Sequence, residues 1–556
     1  MGYAFTRSVA LIGVSAHVVD VAADARPGDA ELHLIGLPDL SVWPARARIR
    51  AAILNSGTSW PDARITVSVS PVIPPNYDAA ADLALAVALL AAAGAIPPER
   101  IAGRVFLGEL ALDGGIRPIR GVLPMVRAAV RAGISRVVVP ADCAREAAQV
   151  PGAVVMPATR LADVVDQLRH GTLRDHHGQE PEPAPSSSFA VDLADVPGNQ
   201  AARRASEVCA AGGHHLFLSG DGPATMLAER LPGILPPLTD EAARDVAEIY
   251  SLAGRSHRAP GITPPLSAPH HSETPAAIFG SVAANHPGAL SLAHLGVLHL
   301  ADAPEFARTV LDGLCRPMDS GQVHLAGQGR SIRYPARFTL VVDARPCPCL
   351  EQRECACTPE ARRRYRARLA LLLSRVAVHA PVEWGDRGAR AGEPSATVAA
   401  RVLAARARAA HRLADTPWRT NAEIPASDLR NRFPVAPEAA ELLGSAFSTG
   451  LVTADGLPRL LRVAWSWQTC AAPTAHRPTT RRAPSSCGRG QTAMEPGDRV
   501  LVRPSFHIPV RPWWTESYES PFYYPGTVTK VNERRRRVRV EPDDGGRSSR
   551  RHSQLS

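Results

Sequence analysis

With 556 residues, 45% of them apolar, and a net charge of +10, the chain is too long for one core and too apolar to be disordered. Its length predicts about three or four domains, and its basic excess favours anionic partners over acidic-patch binders. No apolar run reaches the roughly 18 residues of a membrane span, and nine scattered cysteines do not make a secreted disulfide framework, so a cytoplasmic protein without a membrane partner is expected.

Residues 1–175 alternate strand and helix patterns. ITVSVSPVIPP at 65–75 has the period of a strand ended by prolines, and ADLALAVALLAAAG is a buried helix closed by Gly94. VFLGELALDGGIRPIRG at 105–121 predicts a hairpin around Asp113-Gly114-Gly115, followed by an amphipathic helix in PMVRAAVRAG and a short strand in SRVVVPADC. No nucleophile–base pair stands out in this mixed α/β domain. HHGQEPEPAPSSS, within 176–188, is a proline-rich linker. A second α/β block is expected over 189–390 and an alanine- and arginine-rich helical block over 391–468. Residues 469–495 lack periodicity and read as a second linker. Residues 496–546 carry short alternating strands, consistent with a small SH3-like or Tudor-like barrel, and 547–556 form a basic tail. The tail aromatics Trp513, Trp514, Tyr518, Phe522, Tyr523 and Tyr524 suit a barrel core, a cage for a methylated cation, or a stacking surface for single-stranded nucleic acid.

The second block opens with LFLSGDGPATMLAERLPGILPPL at 216–238, a strand, a glycine turn and a helix, which is the setting of a phosphate-binding loop. Such a loop reads G-x-x-x-x-G-K-[ST], with backbone amides around the phosphates, a lysine on the β/γ oxygens and a hydroxyl on magnesium. Here Gly220, Asp221, Gly222 and Thr225 are the candidate nucleotide contacts, yet the stretch is two residues short and Ala224 stands before the threonine. The chain's single lysine is Lys530, far away in the tail. Arg230, the nearest cation downstream, lies more than a turn beyond Thr225, and its planar guanidinium is a poor substitute for an ammonium.

Several long strings resemble one family: LIGLPD (34–39), RAAILNSG (50–57), FLGELALDGGIRPIRGVLP (106–124), DLADVPGNQAARRASEVCAAGGHH (192–215), MLAERLPGILPPL (226–238), GALSLAHLGVLHL (288–300) and PCPC…CACTPE (346–360). They are similar to the Mg-chelatase-like AAA+ proteins of the bacterial YifB/ComM type, over roughly residues 4–465. The resemblance implies an α/β multidomain fold. It consists of an N-terminal domain shared with Lon-type proteases and a ribosomal protein, an AAA+ P-loop-type core, and a helical lid that this chain leaves before its final helices. It also implies ATP and Mg2+, a ring (a hexamer), and DNA, single-stranded or branched, as the partner during transformation.

The departures from the family fall on its chemistry. Where the family has L-D-E, this chain has HLADAPEF, so Ala301 and Asp302 stand at the places of the metal-ordering and water-positioning acids. Arg345 stands at the place of the asparagine that senses the γ-phosphate. Arg375 is what remains of the arginine-finger motif, and Arg459 and Arg462 are candidate lid sensors. Asp302, Arg375 and Arg459 are thus the residual catalytic candidates. Cys347, Cys349, Cys355 and Cys357, a C-x-C…C-x-C pattern, are candidate zinc ligands or a reduced loop cluster. The adjacent histidines His270 and His271 cannot both face one metal from a regular strand. The expected function is a non-hydrolysing DNA- or partner-binding ring subunit. An ATP-driven DNA translocase with an unorthodox site, and a decaying gene product, are the alternatives.

Overall fold

The computed structural model describes residues 2–71, 79–171, 191–255, 261–327, 330–349, 357–384, 392–433, isolated positions between 441 and 454, 456–471, and the strands at 526–532 and 537–542. The first half is built on a long antiparallel hairpin, β1 (Tyr3–Ile12) with β2 (Ser15–Arg26), paired from Tyr3↔Asp24 to Ile12↔Ser15. With β3 (Glu31–Ile35), β4 (Arg64–Ser70), β5 (Arg104–Phe106), β6 (Arg136–Pro140) and β7 (Val154–Ala158) it forms a seven-stranded sheet in the order β3-β4-β2-β1-β5-β6-β7. The short pair Glu109–Leu110 with Ile116–Arg117 makes the turn at Asp113, whose carboxylate accepts the Gly115 N–H at 3.0 Å.

Helix Asp82–Ala92 is buried along its whole length, as its unbroken apolar run requires. Asp82 is the exception in chemistry. Burial pushes its carboxyl up to about 6, against the pull of Arg48, which donates from Nε at 2.7 Å and Nη2 at 3.1 Å.

The second sheet is wholly parallel and positions the site. Strands β8 (Leu216–Ser219), β9 (Leu266–Ser267), β10 (Val297–Leu300), β11 (Thr339–Ala344) and β12 (Val378–Pro381) lie in the order β9-β10-β11-β8-β12. These strands are short and mostly apolar because helices cover both faces. The first strand, β8, sits between β11 and β12, so neighbouring connections run in opposite directions from it and open a crevice at the carboxyl ends. This mixed α/β plan with its parallel sheet is consistent with an AAA+ type core.

The two sheets are joined by packing. The β1–β2 turn sends Leu11, Ile12 and Val14 into the core around β10 and β11, and the Gly13 N–H donates to Asn285 Oδ1 at 2.8 Å. Arg127, on helix Val122–Arg131, reaches Glu248 at 2.6 Å and Asp245 at 3.1 Å on helix Asp240–Leu252.

Behind β8, helix Gln200–Gly212 packs against helices Ser395–Arg412 and Gly456–Ala471, the last running three residues past position 468. In the C-terminal stretch the described residues form one antiparallel hairpin, Gly526–Asn532 with Arg537–Pro542. The expected barrel aromatics, Trp513 to Tyr524, lie outside the described residues, as do most of both linkers.

Candidate functional site

Strand β8 delivers the chain into a tight turn. Gly220 has φ +138°, and a Cβ there would stand 2.0 Å from the carbonyl oxygen of Val382; one at Gly222 would stand 2.4 Å from the Glu383 nitrogen. The turn lies flat on the two residues that follow β12. Three of its amides are already used: Gly220 N–H donates to Ala344 O at 3.1 Å, Gly222 N–H to Val382 O at 3.2 Å, and Ala224 N–H to Gly222 O at 2.8 Å. In an open phosphate loop such amides point at the ligand. Asp221 and Thr225 are exposed at the rim, and the following helix, Ala224–Arg230, spans seven residues.

Arg230 does not reach this turn. Its guanidinium donates to the carbonyls of Asp192 (2.8 Å) and Met226 (3.1 Å) and pairs with Asp195 at 3.1 Å. It fastens helix Ala224–Arg230 to the segment that precedes helix Gln200–Gly212.

Across the crevice, Asp302 follows β10 with φ +48°, a left-handed backbone that aspartate tolerates better than most residues. Its carboxylate receives Arg345 Nε at 2.9 Å. Its own N–H donates to Asp343 Oδ1 at 2.8 Å, and Asp343 Oδ2 meets Nε2 of His299 at 2.7 Å. Burial is the largest influence and works against the Arg345 cation, but Asp302, through its charge and its hydrogen bond, together with Tyr365 and Glu305 holds the guanidinium above its ordinary pKa. A chain of polar groups thus runs Arg345–Asp302–Asp343–His299 where the ends of β10 and β11 meet. Arg345, Ser219, Gly220, Asp221, Glu383 and Trp384 line an open cleft of about 450 Å³.

The remaining candidates gather elsewhere. Arg375 precedes β12 and so lies at the opposite edge of the sheet, where Asp319 takes it in a two-pronged contact of 2.9–3.0 Å. That hydrogen bond leads the causes that raise its pKa. Arg459 donates to the carbonyl of Ser374, the residue next to Arg375, and Arg462 donates to Ile424 O at 2.7 Å. The structure therefore joins Arg375 with Arg459 and leaves both remote along the strands from Asp302 and Gly220.

Cys347, Cys349 and Cys357 have sulfurs all within 4.8 Å of one another; Cys355 lies outside the described residues. His270 and His271 occupy a turn, their ring centroids 4.1 Å apart, with His270 Nδ1 at 2.7 Å from Ser272 Oγ. Reading the sequence missed Asp343, His299 and Asp319. The signal for the first two was a charged or titratable residue inside the otherwise apolar strings TLVVDA and VLHL.

Comparison with known proteins follows this architecture. The profile for magnesium chelatase subunit ChlI matches residues 192–387, that for subunit ChlI of Mg-chelatase matches 21–143, and that for the ChlI C-terminal region matches 392–469. An uncharacterised protein of Mycobacterium tuberculosis is 42% identical over 486 residues, 85% of this chain and 96% of that one. The chain belongs to the Mg-chelatase-like AAA+ family of the YifB and ComM type. YifB of Escherichia coli K12 is 36% identical over 421 residues (73% of this chain, 82% of YifB). Competence protein ComM of Haemophilus influenzae is 35% identical over 362 residues (63% and 69%).

Mg-chelatase-like AAA+ membership implies ATP and Mg2+, and the residues present can be tested against that pair. An incoming triphosphate needs free amides, an ammonium and a metal-ordering acid. In this chain three of the turn's amides bond to protein carbonyls, the lysine place holds Ala224, and Asp302 bonds to Arg345. The residues do not fit Mg·ATP in the family's manner. Among the described residues no helix is long and apolar enough to cross a membrane.

Proposed function

We propose that this family member does not hydrolyse ATP and acts as a DNA- or partner-binding subunit of an AAA+ ring. The observation that carries the reading is the Arg345–Asp302 ion pair, 2.9 Å long, at the place where the family's sensor and water-positioning acid meet magnesium and the γ-phosphate. An internal cation bound to the single acid left at that place does the neutralising that Mg2+ does in a working site. The closed turn at Gly220–Gly222 supports the same conclusion from the other side of the cleft. Removing one charge-stabilising group typically raises a barrier by a few kcal/mol. Here the ammonium, the acid pair and the open cradle are changed together.

In this reading the first domain, with the Lon-type fold the resemblance implies, is a platform and not a protease. In the same reading Arg375 and Arg459, which come near one another at the amino end of β12, serve a neighbouring subunit; their correspondence to the family's arginine-finger and lid-sensor positions supports this. The net charge of +10 supports DNA as the anionic partner. ComM is named as a competence protein, which makes single-stranded or branched DNA the substrate to test first.

The test is ATP turnover by the full chain, with and without single-stranded DNA, beside a variant with a full-length G-x-x-x-x-G-K-T loop, A301D, D302E and R345N. The native chain should stay at background while still retarding DNA, and the rebuilt chain should bind Mg·ATP. Steady turnover by the native chain overturns the reading and supports the translocase alternative.

A further inference from the structure

We propose that Cys347, Cys349 and Cys357 form a thiolate site for a soft divalent cation, zinc in the cell, which fastens the end of β11 to the helix Pro359–Ala367. The three sulfurs lie within 4.8 Å of one another. Zinc–thiolate bonds of about 2.3 Å in tetrahedral geometry place sulfurs about 3.8 Å apart, so the cluster is already at the scale of one ion. Cys347 and Cys349 are closer, at 2.9 Å, and a rotation of either side chain opens that edge.

The surroundings suit an anionic metal–thiolate group. Cys347 is buried, while Cys349 and Cys357 are partly exposed, which gives an ion a route in. Three thiolates around one divalent cation carry a net negative charge. The helix that starts at Pro359 carries Arg362, Arg363, Arg364 and Arg366, so the segment after the cluster is strongly cationic. That helix begins directly after the cluster, with the Thr358 hydroxyl accepting the Ala361 N–H at 3.2 Å. Its Tyr365 is 6% exposed, and the phenol oxygen has no hydrogen-bond partner among the described residues. Cys347 is one of the charges that this phenol feels, together with Glu305, Arg345 and Asp302.

The location gives the staple a consequence. Cys347 is two residues from Arg345, so a metal here fixes the loop that holds the guanidinium on Asp302. This assignment stands whether or not the chain hydrolyses ATP.

The test uses the full chain purified under reducing conditions and reconstituted with zinc or, separately, cobalt. About one metal per chain is expected, with a thiolate-to-cobalt charge-transfer band in the near ultraviolet. Titration with a thiol reagent should release zinc to a colorimetric chelator as the thiols are modified, a readout that needs no variant. C349S and C357S, at partly exposed positions, should each lower metal content about tenfold, while C143S in the first domain keeps it. A reconstituted chain without metal, a cobalt spectrum lacking thiolate bands, or full metal retention in both C349S and C357S overturns the assignment.

Discussion

A half-exposed ion pair and a buried hydrogen-bonded carboxylate look alike in a contact map but differ in energy. Arg345 and Asp302 are 27% and 45% exposed, so water screens them, and R345A should cost about 1 kcal/mol or less in urea unfolding. Asp343 is different. Its carboxylate satisfies the Asp302 N–H and faces His299, whose side chain is 2% exposed. D343A strands both groups, and each unpaired buried group costs about 1–3 kcal/mol. D343A should therefore destabilise clearly more than R345A, and equal midpoint shifts would show that Asp343 is not the brace.

The closed turn and helix Gly456–Ala471 are the elements to probe around the site. Both glycines of the turn touch the backbone after β12, so G222A forces that backbone to move and should cost about 1–3 kcal/mol. An open loop would not put a Cβ there in contact with Glu383, and an unchanged urea midpoint would argue for one. At the carboxyl end of helix Gln200–Gly212, a buried hydroxyl ties helix Gly456–Ala471 down. Ser466 Oγ donates to Arg462 O at 3.0 Å and accepts from Asn421 Nδ2 at 2.9 Å. His214 Nε2, 2.8 Å away, completes the set, which places its proton on Nε2. S466A should cost about 1–3 kcal/mol and raise hydrogen exchange along Gly456–Ala471 more than elsewhere.

For the whole molecule, four histidines set a pH limit. Burial pushes His214 down to about 3 and His215, His294 and His379 to about 4, from an ordinary value of 6.5. The geometry agrees for two of them: His215 and His294 each accept a backbone N–H through Nδ1, from Leu340 and Arg337 at 3.0 Å. The folded chain keeps these rings neutral while the unfolded chain protonates them near 6.5. The stability these rings contribute is therefore full above that pH and falls as pH drops toward about 4, with up to four protons taken up by them on unfolding, partly offset by Asp82, whose raised carboxyl releases one. At about pH 5 the loss is on the order of 2 kcal/mol per histidine. Urea midpoints from about pH 7.5 to pH 5 measure it, and a flat profile would mean the rings are solvated.

Much of this was legible in the chain before any coordinates. The strand pattern from Ile65 to Ser70, the apolar run of Asp82–Ala92 and the Asp113 turn each appear as local structure, because period and turn chemistry act within a few residues. The missing lysine, the shortened loop and the exchanges at Ala301, Asp302 and Arg345 were readable as letters against a family pattern. Their meaning was not. Arg345 and Asp302 stand 43 residues apart, and only the parallel pairing of β10 with β11 brings one onto the other. Likewise, only the packing of Gly222 on Val382 determines where the loop's amides go, and only the fold separates Arg375 and Arg459 from the cleft. Composition and local pattern determine elements because their forces are short-ranged along the chain; a site is decided by groups that meet through space.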